Sequence, residues 1–145
     1  MNLRTYEEPD ANALRGIHAA QTFPYAFPDL RNPLFLTKIV LTDGEGANEK
    51  ILGAALLRLT AEAYLLLDPS QGTPRERWRS LFALHQSAQQ DAWHRGLEDV
   101  HAWLPPAIAK KFGRRLERLG WLRDDVWTPY CKRLAPPAEN IAIES

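Results

Sequence analysis

Sulfur is scarce in this chain of 145 residues, which holds one cysteine and one methionine. The lone Cys131 excludes an intrachain disulfide framework and any metal centre built on several cysteines. Net charge is missing too, because 18 basic side chains balance 18 acidic ones. That balance argues against a protein that coats nucleic acid through bulk electrostatics. No apolar run approaches the roughly 20 residues of a membrane span. The start, Met1-Asn2-Leu3-Arg4-Thr5-Tyr6, has no apolar stretch of the signal-peptide kind. None of the four histidines forms a close metal-ligand pair such as i, i+4 on one helix, so no metal site is expected. These absences lead to the expectation of a cytoplasmic protein with neither a membrane nor a nucleic-acid partner. The length suits one domain whose core needs no covalent staple.

Apolar patterning and proline together predict the elements. Residues 3–6 alternate apolar and polar positions, as a short strand does. Glu7-Glu8-Pro9-Asp10 reads as a turn, with Asp10 the N-cap of a helix whose Leu14 and Ile17 face a core. Pro24, Pro28 and Pro33 forbid a long regular element over 23–33. The same segment carries Phe23, Tyr25 and Phe27, which form either a packed loop or a substrate wall. Strands are expected over 35–42 and 50–59, joined by a polar, glycine-bearing loop. The run Ala63-Tyr64-Leu65-Leu66-Leu67 reads as a central strand over 62–68, buried on both faces and completing an antiparallel meander.

Thr73-Pro74-Arg75-Glu76 carries the marks of a helix start: a capping threonine, proline in the first turn, and a glutamate three residues after the cap. Trp78, Leu81, Phe82, His85, Ala88 and Ala92 then share one helical face, and Gly96 ends the helix. A strand over 97–104 follows, so strand, long helix and strand predict a right-handed parallel crossover. Pro105-Pro106 open a further helix with an apolar stripe of Ile108, Phe112, Leu116 and Leu119, closed by Gly120. Lys110, Lys111, Arg114, Arg115 and Arg118 interleave with that stripe and form its solvent face. A last strand is expected over 126–134 and a loose tail over 135–145, giving one domain over 1–134.

This order of elements resembles the GNAT superfamily of acyl-CoA-dependent N-acyltransferases. Two segments carry the likeness. Tyr64 through Asp68-Pro69 into the Thr73 helix is similar to the family's central strand, loop and pyrophosphate-binding helix, and Arg118-Leu119-Gly120-Trp121 resembles its closing signature. The resemblance implies an α/β fold with a mixed, mostly antiparallel sheet and helices on both faces. It implies acetyl-CoA as cofactor and a small-molecule or peptide amine as acceptor, with a homodimer left open. Under it, the backbone of Leu66 and Leu67 receives the pantetheine arm, and Gly72, Thr73, Arg75 and Arg77 receive the pyrophosphate. Glu62 and Tyr64, on one face of the strand by alternation, become the base and acid.

The chain departs from that pattern at two places. The positions of the family's phosphate-loop motif fall on Thr73, Glu76 and Trp78, so its glycines are absent. Leu116 stands where the family carries its tyrosine acid. A Glu76 carboxylate can cap the very amides that would receive phosphate. A catalytically inactive GNAT-like binding or interaction module is therefore the alternative.

Overall fold

Short alternating segments at the start of the chain assemble around one long hairpin. In the computed structural model, which describes residues 1–137, strand β2 (Phe35–Asp43) turns back into β3 (Lys50–Arg58). The turn needs glycine at Gly44, where φ is +80° and a Cβ would lie 2.5 Å from the Asn48 carbonyl oxygen. Strand β1 (Asn2–Thr5) adds antiparallel to the other edge of β2, giving the order β1-β2-β3. Arg4 pairs with Val40, and Val40 with Ala54, so these three share a face. Val40 and Thr42 on that face are fully buried. Helix α1 (Ala11–Gln21) lies against β3 and contributes the buried Leu14.

Strand β4 (Ala61–Glu62) pairs in parallel with β5 (Val100–His101), with Ala61 opposite Val100 and Glu62 opposite His101. Helix α2 (Pro74–His94) connects them, so the expected parallel crossover is present. At the end of β3, Arg58 reaches Glu98 and Asp99, both at 3.4 Å, just ahead of β5.

Contacts divide the described residues into two compact units, Met1–Trp103 and a second that begins at Leu104. In the second unit, helix α3 (Pro106–Arg118) starts on proline as expected. It closes at Gly120, where φ is +92° and the Trp121 amide donates back to the Leu116 carbonyl at 3.1 Å. Phe112, Leu116 and Leu119 are its half-buried side. Among the described residues no helix is long and apolar enough to cross a membrane.

Four expectations need correction. The central strand over 62–68 shrinks to Ala61–Glu62, and Tyr64, Leu65, Leu66 and Leu67 leave the sheet. Its partner β5, expected over 97–104, is itself two residues long, and Pro105-Pro106 follow closely without amide donors. The parallel pair accordingly forms a sheet of its own instead of joining the meander, whose third member is β1. The last strand over 126–134 is absent; Pro129 interrupts any ladder there, and Tyr130 and Leu134 are exposed. The expected tail overlaps residues 138–145, which lie outside the described residues.

The fourth correction concerns Asp10, which is not the side-chain cap of α1. It is 6 % exposed and accepts from Arg4 through both oxygens, each at 2.8 Å, and from the Glu7 amide at 2.8 Å. Arg4 also meets Glu49 at 2.7 Å. The Arg4 guanidinium holds the Asp10 carboxyl below its ordinary value, with the Glu7 amide adding to the effect against the opposing pull of burial. A lowered folded pKa means that this stability is fully present above the unfolded value near 4 and is lost as pH falls through the folded one. Asp10→Ala should lower the unfolding free energy by about 2 kcal/mol at neutral pH. Urea titrations at pH 7 and below pH 3 should show the gap between the two proteins narrowing in acid.

Candidate functional site

The start of α2 is built by local chemistry. Thr73 has extended backbone, and Pro74 supplies a preset φ while lacking the amide hydrogen that the first turn leaves without a partner. The Thr73 hydroxyl accepts from the Glu76 amide at 3.2 Å, and the Glu76 carboxylate accepts from the Thr73 amide at 2.7 Å. The carboxylate thus folds back on its own helix, as the sequence predicts. Gly72 makes room for it: φ there is +69°, and a Cβ would lie 2.7 Å from Glu76 Oε2.

Arg77 turns the same way but spends its charge on backbone. Its Nη1 donates to the Gly72 carbonyl at 2.6 Å and reaches the Gln71 carbonyl at 3.4 Å. One turn back, the Ser70 amide and hydroxyl donate to Asp68 Oδ1 at 2.9 and 2.7 Å, which holds the Asp68 carboxyl below its ordinary value. These groups surround a cleft of about 210 Å³ bounded by Leu67, Asp68, Gln71, Gly72, Glu76, Arg77 and Ser80.

The structure therefore brings Leu67, Gly72 and Arg77 together on one cleft, with Thr73 joined to it through Glu76. Leu66 and Arg75 do not line the cleft, and Leu66 is 88 % exposed. Glu62 and Tyr64 do not line it either, but they lie together. Glu62, first as hydrogen-bond partner and then as a nearby charge, raises the Tyr64 phenol above its ordinary value. That shift makes the phenol a weaker acid, and its ring is 79 % exposed. Phe23, Tyr25 and Phe27 gather elsewhere. Phe23 stacks on Tyr25 at 5.4 Å, and His18 of α1 packs against Tyr25 at 5.1 Å and Phe27 at 5.8 Å.

The cleft's chemistry does not fit a pyrophosphate as it stands. Two carboxylates, Asp68 and Glu76, face it, and the cation that lines it is turned to carbonyl oxygens. Sequence reasoning missed Asp68 and Arg77's carbonyl contacts. The Asp68-Pro69-Ser70 triplet, in which an aspartate binds the amide two residues on, was the available signal. No group of three histidine, cysteine or acidic side chains that could hold a metal occurs among the described residues.

Comparison with protein-family models, with curated proteins and with solved structures finds no match to this chain.

The dependence of the cap on Gly72 is open to measurement. Gly72→Ala places a side chain at positive φ and against the Glu76 carboxylate, which should cost about 1–2 kcal/mol. In a Glu76→Ala background the 2.7 Å contact with the carboxylate disappears, leaving the backbone cost and a milder contact at 3.3 Å with the Cβ of residue 76. Denaturant melts of the four proteins in this cycle should therefore give a smaller loss for Gly72→Ala when Glu76 is absent.

Proposed function

We propose that this chain is a GNAT-like N-acyltransferase, moving an acyl group from acetyl-CoA to a small-molecule or peptide amine, with a cofactor loop that its own Glu76 closes. The observation that carries the reading is the parallel β4–β5 pair joined by α2, whose start borders a cleft. In that architecture the positive end of a helix dipole lies beside the end of a strand, where anionic ligands are held. Glu62, at the end of β4, and Tyr64, two residues beyond the strand, supply a carboxylate and a phenol ahead of the cleft.

The closing of the loop is reversible on energetic grounds. A capping box contributes on the order of 1 kcal/mol, and Glu76 is exposed, with no ion pair to any cation among the described residues. Displacing it costs roughly a tenfold loss in apparent affinity for an anion at this site. A second reading, a GNAT-like binding module without catalysis, is favoured by the same carboxylate: a cleft with two acids selects against phosphate.

Calorimetric titration with acetyl-CoA separates the two. Glu76→Gly removes the charge and the bulk, and should bind acetyl-CoA about tenfold more tightly than the wild-type chain. A gain in affinity, with the fold verified by circular dichroism, supports the closed-loop acyltransferase. If neither protein binds, the inactive-module reading takes its place. Tight wild-type binding unchanged by Glu76→Gly would show that Glu76 does not obstruct the site.

A further inference from the structure

A second cavity, of about 290 Å³, shares no lining residue with the α2 cleft. Three segments make it: the chain after β1, the first turns of α1, and the proline-bearing loop that follows α1. Phe27, Pro28 and the buried Leu30 give it an apolar side. Its polar side carries two guanidinium groups and two carboxylates. Of these, Arg31 and Asp29 bind each other, with Nε to Oδ1 at 3.1 Å.

The other two, Glu8 and Arg15, line the same small cavity, yet no ion pair joins them. Each is hydrogen-bonded to a neutral group instead, while the charge of Glu8 also acts on Arg31 and that of Arg15 on Asp29. The Tyr6 hydroxyl donates to Glu8 Oε2 at 2.9 Å. Arg15 donates from Nη1 to Asn12 Oδ1 at 3.3 Å, and its guanidinium carbon lies 5.4 Å from the centre of the Phe27 ring. Opposite charges on exposed side chains attract only weakly through water, so these modest contacts suffice to keep them apart. The result is a carboxylate and a guanidinium that line one cavity with an apolar wall.

We propose that this cavity binds a small zwitterion, an α-amino acid with an apolar side chain. Its carboxylate pairs with Arg15, whose planar fork suits that geometry. Its ammonium group meets Glu8, and its side chain lies against Phe27, Pro28 and Leu30. A ligand carrying both charges satisfies both groups at once; an anion or a cation alone leaves one of them opposed or unmet. The site does not depend on the acyl-transfer reading.

Calorimetric titration of the full chain with L-leucine tests it, beside two analogues of similar shape: 4-methylpentanoate, without the ammonium, and 3-methylbutylamine, without the carboxylate. Arg15→Gln and Glu8→Gln are titrated with L-leucine after their fold is checked by circular dichroism. L-leucine should bind the wild-type chain, and each analogue and each variant should bind at least about tenfold more weakly, the loss expected for one charged hydrogen-bond partner. Failure of L-leucine to bind the wild-type chain overturns the proposal. So does binding of either analogue as tightly as L-leucine, or binding by folded variants that matches wild type. Should a variant not fold, the two analogues decide the question on the unaltered protein.

Discussion

One guanidinium, that of Arg4, ties the ends of three separate elements together. It lies on β1 opposite Val40, donates through two nitrogens to Asp10 ahead of α1, and through two to Glu49 just before β3. A fifth contact goes to the Thr5 carbonyl at 3.1 Å. Only a planar group with several fixed donors can bridge two carboxylates in this way, and a lysine could not reproduce it. Because β1 is a four-residue edge strand, the sheet ladder alone fixes it weakly. Arg4 also sets where the first helix begins, and through it the position of the loop that lines the second cavity.

Asp10 and Glu76 make the same local bond in different surroundings. Each is an acid at the third position of a helical turn, and each accepts the amide three residues earlier. Asp10 is buried beneath Arg4 and fixed there. Glu76 stands open on a cleft, while its neighbour Arg77 is engaged with carbonyl oxygens. The first bond is architecture; the second is one that a competing anion can replace. Surroundings, not the bond, separate a structural acid from a movable one.

How much of this could be read from the residue order follows the range of each interaction. The Thr73–Glu76 box, the proline starts of α2 and α3 and the glycine ends after them span four residues or fewer, and all were legible. The parallel crossover was legible from element lengths. The Arg4–Asp10–Glu49 cluster was not, since Arg4 and Glu49 are 45 positions apart and neither belongs to a local pattern. The apolar run at 63–67 misled for a related reason. Hydrophobicity describes a residue's preference for burial, whereas a strand also needs a partner of equal length, and the prolines after β5 withhold one. At the cleft, Gly72, Thr73 and Glu76 could be placed from sequence, and the pairing of Asp68 with Ser70 is equally local, carried by the Asp68-Pro69-Ser70 triplet.

That unpaired run has a consequence for the protein in solution. Beyond the Ala63 amide, which donates to the His101 carbonyl, residues 64–67 form no ladder, and Tyr64 and Leu66 face water. Five apolar residues rich in leucine, with little to occupy their backbone groups, are the kind of segment that adds to a like segment of another chain. Glu62 and Asp68 flank it at either end with negative charge. Stacked copies would bring those carboxylates into register and repel one another, so the two acids act as gatekeepers against self-association.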